Sequence, residues 1–119
     1  MISKILIVED NRIERLRLCR ILTSLGYHYH EASTAQEAIE LSKLHKFALA
    51  LIDIQLPDMD GKELLQKINI DKIIMMTATK KDPKSVLESV NLGALDFLVK
   101  PITTQVLNQK LKQSLRRVA

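Results

Sequence analysis

The sequence holds a single cysteine, Cys19, so no disulfide framework can form within the chain. A reducing compartment, the cytoplasm, is the matching expectation. Three glycines and three prolines in 119 residues leave no linker or low-complexity stretch to divide it. One domain over residues 1–119 is expected, at a length that can bury a sizeable core. Long apolar runs are also missing: the longest last four to seven residues, far short of the ~20 that span a bilayer. No internal repeat is present, and Met1-Ile2-Ser3-Lys4 enters a strand-like run without a signal-peptide pattern.

Acidic charge is in short supply, and the net charge is +4. The imbalance is local. Residues 11–26 carry Arg12, Arg15, Arg17 and Arg20 against Glu14, a net of +3, and residues 103–119 carry Lys110, Lys112, Arg116 and Arg117 unopposed, a net of +4. The remainder is therefore net −3. No helix-turn-helix, zinc-finger or recognition-helix pattern accompanies the basic segments, so direct nucleic-acid binding is not expected.

What is present is alternation. Ile5–Val8, Ala48–Ile52 and Ile73–Met76 are apolar at consecutive positions, the pattern of strands covered on both faces. Tyr27–Ala32 and Leu95–Val99 are weaker strand candidates, the first suited to an edge. Between them lie helical stretches. In residues 12–25, Ile13, Leu16, Leu18, Ile21, Leu22 and Leu25 form an apolar stripe stopped by Gly26. Thr34 and Glu37 form a capping box for a helix to about His45. Residues 61–69 and 83–92 give two more, the latter opened by Asp82-Pro83 and closed by Gly93. Thr103 or Thr104 caps a last helix. Strict βα alternation with short loops predicts a doubly wound parallel α/β domain.

Ligands of such sheets bind outside the carboxyl ends of the strands. Those ends carry Glu9 and Asp10, then Asp53, then Thr77, then Lys100 before Pro101. Carboxylates ~4 Å apart near a surface repel by about 4 kcal/mol at an effective dielectric of 20, more than one ammonium offsets. A hard divalent cation with oxygen ligands, Mg²⁺ above all, answers that repulsion. Metal, hydroxyl and ammonium around one carboxylate equip the site for phosphoryl transfer. Asp53 is the nucleophile, and Thr77 and Lys100 serve the phosphoryl oxygens.

The segments ILIVEDN, ALALIDIQLPDMDG, IIMMTA and GALDFLVKPI resemble the motifs of the response-regulator receiver family of two-component signalling, over essentially the whole chain. The resemblance implies a flavodoxin-like five-stranded sheet of order 2-1-3-4-5, with an aspartyl phosphate on Asp53. It implies Mg²⁺ held by Asp10, Asp53 and the Gln55 carbonyl, with Glu9 acting through water. Thr77 and Lys100 would contact the phosphoryl group, Phe97 would be the switch aromatic, and Lys100-Pro101 would be cis. It further implies a signalling domain that catalyses only its own phosphorylation and dephosphorylation. Its partner would be a histidine kinase or phosphotransfer protein docked near the first helix. That helix and the last share one face in this sheet order, so their basic charges make a candidate docking surface. The stretch between Asp53 and Thr77 leaves room for only a short third helix or a tight loop.

Each residue alone has an ordinary reading. Asp53 can be turn chemistry, Glu9-Asp10 or Asn11 a helix cap, Thr77 a strand residue, Lys100 a solvated charge and Phe97 plain packing. A zinc site from His28, His30 and Cys19 competes with solvent-facing histidines and a small core cysteine. A Mg²⁺-dependent phosphohydrolase would want an acid two residues after Asp53, where Gln55 stands. A degenerate receiver acting as a binding module would have lost Asp53, Asp10 or Lys100. The last helix ends near Arg117, so a stand-alone regulator or the N-terminal piece of a longer one is expected, and the incomplete acid/base pattern of that helix favours the former. Asp96 fits receivers that pair through the fourth helix, fifth strand and fifth helix, but Val106 and Lys110 stand where Glu and Arg are typical. A homodimer through that face is the alternative.

Overall fold

The computed structural model describes residues 4–78 and 83–116. Five βα units follow one another. They run β1 (Lys4–Val8), α1 (Arg12–Ser24), β2 (His28–Ala32), α2 (Ala35–Leu44), β3 (Leu49–Asp53), α3 (Gly61–Lys67), β4 (Ile73–Thr77), α4 (Pro83–Asn91), β5 (Asp96–Val99) and α5 (Thr104–Arg116). All pairings are parallel and the strand order is β2-β1-β3-β4-β5, as expected.

Period-two alternation of the strands supplies two cores. Leu6, Val8, Ala50, Ile52, Ile73 and Met75 point towards α2 and α3. Ile5, Ile7, Leu49, Leu51, Ile74 and Met76 point to the opposite side, against Leu18, Cys19, Ile21 and Leu22 of α1 and Leu107 and Leu111 of α5. Burial on both sides is why β1, β3 and β4 are apolar at consecutive positions, whereas the edge strands β2 and β5 are only partly covered. Each fully buried Leu or Ile contributes roughly 1.5–3 kcal/mol of transfer free energy.

The helices start and stop where side-chain chemistry dictates. The Asn11 side chain accepts the Glu14 N–H at 3.0 Å, and Thr34 accepts that of Glu37 at 3.1 Å. Thr103, rather than Thr104, caps α5 by accepting the Val106 N–H at 3.2 Å. After α1, Gly26 at φ 86° lets its N–H reach the Thr23 carbonyl and the Tyr27 N–H reach that of Leu22; Gly93, at φ 111°, ends α4 with the same paired bonds. The expected Asp82 cap lies outside the described residues. α3 is short, seven residues, so of the two options for the Asp53–Thr77 segment the short helix is the one adopted.

The apolar stripe of α1 is rotated from its expected position. Ile13 is 79% exposed and Leu16 45%, while Cys19 joins Leu18, Ile21 and Leu22 in the core. Burial pushes the Cys19 thiol up to about 11. The zinc reading fails on topology: Cys19 packs on the α1 side, whereas His30 stacks on His45 on the other, with ring centroids 4.2 Å apart. Among the described residues no helix is long and apolar enough to cross a membrane.

One glycine governs how α3 meets the sheet. The Gly61 N–H donates to the Ile54 carbonyl at 2.6 Å, and a Cβ at position 61 would lie 2.1 Å from the Asp53 carbonyl oxygen and 2.8 Å from Ile54 Cα. Those atoms are backbone and cannot swing aside. Gly61→Ala is predicted to destabilise the fold by about 2 kcal/mol or more, as overpacking does. Urea unfolding is the check; a loss below about 0.5 kcal/mol, the scatter of neutral surface changes, contradicts the close approach.

Candidate functional site

The carboxyl ends of β1, β3, β4 and β5 open into one cleft, lined by Asp10, Glu14, Asp53, Gln55, Thr77 and Lys100 among others. β1 delivers Glu9, fully buried, and the exposed Asp10. Asp53 ends β3 and is 7% exposed; Thr77 ends β4 and is 5% exposed. The Lys100 N–H donates to the Thr77 carbonyl at 2.8 Å, which sets the lysine against the end of β4. Lys100-Pro101 is cis. Carboxylate oxygens of Glu9, Asp10 and Asp53 all lie within 4.8 Å of one another. The phosphoryl-transfer and Mg²⁺ candidates read from the sequence, Glu9, Asp10, Asp53, Gln55, Thr77 and Lys100, all stand at this rim.

Lys100 is the hub. Its ammonium donates to Asp53 Oδ2 at 2.7 Å, to Glu14 Oε2 at 2.7 Å and to Glu9 Oε1. An ammonium has three N–H donors, and all three are on carboxylates. Asp53 is held from the other side as well: its Oδ1 accepts the Gln55 N–H at 2.9 Å. With one donor on each oxygen its carboxyl group is fixed in plane, and each oxygen keeps a lone pair for an electrophile or a cation.

The loop after Asp53 is pinned too. Asp58 Oδ1 and Oδ2 accept the N–H groups of Ala35 and Gln36, at 2.9 and 3.0 Å, at the start of α2. Gln55 and Asp60 bridge across the loop, and the Asp60 side chain caps α3 through the Lys62 N–H at 2.8 Å. Lys62 pairs with Glu88 of α4 at 2.9 Å.

Burial and proximity divide the carboxyls into two kinds. Glu9 is raised to about 9, chiefly by burial and then by the neighbouring Asp53 and Glu14. Asp53 is also penalised by burial, but the adjoining Glu9 carboxyl, the Lys100 ammonium and the Gln55 N–H prevail and hold it below the usual aspartate value. Glu14 is lowered by the adjoining Glu9 carboxyl and by its bond with Lys100. For Lys100 burial works against the charge, yet bonds to Asp53, Glu14 and Glu9 outweigh it and hold the ammonium above its ordinary value. Glu9 thus holds its proton more tightly than Asp53 and Glu14 beside it. Glu9 Oε2 is buried with no hydrogen-bond partner. An orphaned oxygen beside two further carboxylates is the donor set of a cation site.

Two contributors were not legible as such from the sequence. Glu14 counted there only as an offset to neighbouring arginines, although a carboxylate in the first turn of the helix after Glu9-Asp10 has to stand over the same rim. Arg15 reaches back from α1 and donates to the backbone carbonyls of Glu9, at 2.9 Å, and Asp10, at 3.4 Å; its Nε donates to Glu31 at 3.1 Å. It thereby fixes the turn that carries the acidic pair. Phe97 is 37% exposed on the outer edge of β5, with Lys110 Nζ 6.0 Å from its ring centre and paired to Asp96 at 2.9 Å. It is not a packed core aromatic.

Known proteins resemble this chain in sequence and fold. The response regulator receiver domain model matches residues 5–112. The transcriptional regulatory protein SrrA of Staphylococcus aureus is 40% identical over 121 residues, an alignment that takes in 98% of this chain and 49% of SrrA. The chain thus spans about half the length of the curated relatives it matches. A CheY-like response regulator receiver domain protein from Methanospirillum hungatei superposes with a TM-score of 0.87 at 34% identity, over 97% of this chain and 94% of that one. The chemotaxis protein CheY4 of Vibrio cholerae does so with a TM-score of 0.88 at 25% identity, over 96% and 99%. With its sheet order, its strand-end residues and these likenesses in agreement, the chain belongs to the response-regulator receiver family, signalling domains that accept a phosphoryl group and work with histidine kinases and effectors.

Proposed function

We propose that Asp53 is the phosphoacceptor of this receiver. The observation that carries the reading is its carboxylate, held between the Gln55 N–H and the Lys100 ammonium with Glu9 and Asp10 beside it. One Asp53 oxygen bonds to phosphorus as the bond from phosphorus to the donor breaks, and the leaving group keeps that electron pair. Lys100 and Thr77 bond the phosphoryl oxygens, on which charge is spread during transfer. Asp10, Asp53 and the Gln55 carbonyl would hold Mg²⁺, with Glu9 acting through water from its orphaned oxygen. Bound there, the cation would neutralise charge on the phosphoryl oxygens. Beyond its own phosphorylation and dephosphorylation the domain catalyses nothing. The phosphohydrolase alternative gains no support, since Gln55 supplies no acid.

Phosphoryl donors would be a histidine kinase or phosphotransfer protein in the cytoplasm, docking on the face shared by α1 and α5. Arg12, Arg17, Arg20, Lys112 and Arg116 are exposed there beside Ile13 and Leu16, while Arg15 and Lys110 are occupied by Glu31 and Asp96. The basic face is thus smaller than charge counting gave, and Arg117 lies outside the described residues. Output would leave through the other side. Leu87, Val90, Leu92, Phe97 and Val106 are exposed around α4, β5 and α5, a surface suited to an effector or a second copy of the receiver. SrrA is named a transcriptional regulatory protein, and control of transcription is the corresponding output here. Phosphorylation would bring Thr77 towards the phosphoryl group, and Phe97 would follow by turning inward.

Incubation with Mg²⁺ and acetyl phosphate should add one phosphoryl mass, and Asp53→Asn should abolish the addition while keeping the fold. Equal labelling of the variant would overturn the assignment. Thr77→Ala should still bind the phosphoryl mimic beryllofluoride, but the amide shifts of α4 and β5 should no longer respond. A response as full as that of wild type would refute the Thr77–Phe97 relay.

A further inference from the structure

The fourth carboxylate of the site has no place in the chemistry above. Glu14 sits in the first turn of α1, 2.7 Å from the Lys100 ammonium, and lines the same cleft as Asp53. It takes the third and last donor of a lysine whose other two are on Glu9 and Asp53. A phosphoryl group arriving on Asp53 needs one of those donors, so a bond has to be given up.

The three partners differ in what release would cost them. Glu9 is fully buried, and its other oxygen already lacks a partner, so losing Lys100 would leave the whole group unsatisfied. Asp53 carries the phosphoryl group and stays next to the lysine whatever happens. The Glu14 side chain is 44% exposed and can exchange the ammonium for water. Resting on the reading of Asp53 as phosphoacceptor, we propose that Glu14 is a positioning residue that occupies Lys100 in the unmodified domain and competes with the phosphoryl group for it. Phosphorylation displaces Glu14 into solvent. The first turn of α1, with its exposed Ile13, thereby loses its tie to the end of β5.

Two effects of the Glu14 charge then oppose each other. It strengthens the negative field that attracts a cation, yet it weakens the hold of Lys100 on a phosphoryl oxygen. The test uses the whole domain, wild type and Glu14→Gln, with Glu14→Ala as a second variant. Mg²⁺ affinity is measured alone, and beryllofluoride affinity is measured at saturating Mg²⁺. Loss of a charge-assisted competitor should let Glu14→Gln bind beryllofluoride roughly three- to tenfold tighter, while its Mg²⁺ affinity falls. Wild type should also show amide shifts at residues 12–17 when beryllofluoride joins Mg²⁺, and Glu14→Gln should show them much reduced. A merely structural role would weaken both ligands together. Unchanged or weaker beryllofluoride binding by both variants, with wild type binding normally, overturns the competition alone. Failure of wild type itself to bind beryllofluoride removes the phosphoacceptor reading and this inference with it.

Discussion

Everything at the working end of this domain depends on the ion cluster around Lys100. Three carboxyl groups from β1, α1 and β3 converge on one ammonium brought by the end of β5. These segments are far apart in sequence, and only the parallel sheet brings them together. The same contacts that shape the site therefore also join the first helix and the third and fifth strands. Desolvating such charges is costly, and that cost is recovered only with good geometry and full hydrogen bonding. Lys100 and Asp53 meet both conditions. Glu9 does not, and its buried orphan oxygen and raised pKa mark where the resting cluster is incomplete.

That incompleteness links structure to function. A cluster with excess negative charge and one saturated lysine leaves charge for a cation to answer. A cation would relieve the carboxylates. A phosphoryl group would then draw Lys100 towards a new anion, and the linked ends of β4 and β5 would feel the change through the Lys100–Thr77 backbone bond. Rigid supports keep this response local: Arg15 holds the Glu9-Asp10 turn, Asp58 ties the next loop to α2, and Gly61 lets α3 press against the Asp53 backbone.

Much of this was legible in the sequence because burial and topology leave strong marks. Strands covered on both faces must be apolar at consecutive positions, so β1, β3 and β4 declared themselves, and their carboxyl ends named Glu9, Asp10, Asp53 and Thr77. Lys100 followed from the last strand. Helix rotation was harder to read. The stripe on α1 is broad enough to admit Ile13 and Leu16, and only packing of Leu18, Cys19, Ile21 and Leu22 on the sheet decides that they face outward. The same ambiguity hid Glu14, whose place over the rim follows from that rotation. The reach of Arg15 and the outward ring of Phe97 depend on side-chain torsions, which no spacing rule records. Charge counting overstated the basic face, because it could not tell which cations already had acidic partners.

Lys100 is the counter-ion that makes the acidic cluster tolerable. Lys100→Met keeps most of the length of the side chain and removes the charge, and urea unfolding with and without Mg²⁺ reads the result. A loss of about 3 kcal/mol is expected without metal, the scale of an uncompensated buried charge. Mg²⁺ should also stabilise this variant more than wild type, because the cation then supplies the missing positive charge. A variant within about 0.5 kcal/mol of wild type, with an unchanged response to Mg²⁺, would contradict this role of Lys100.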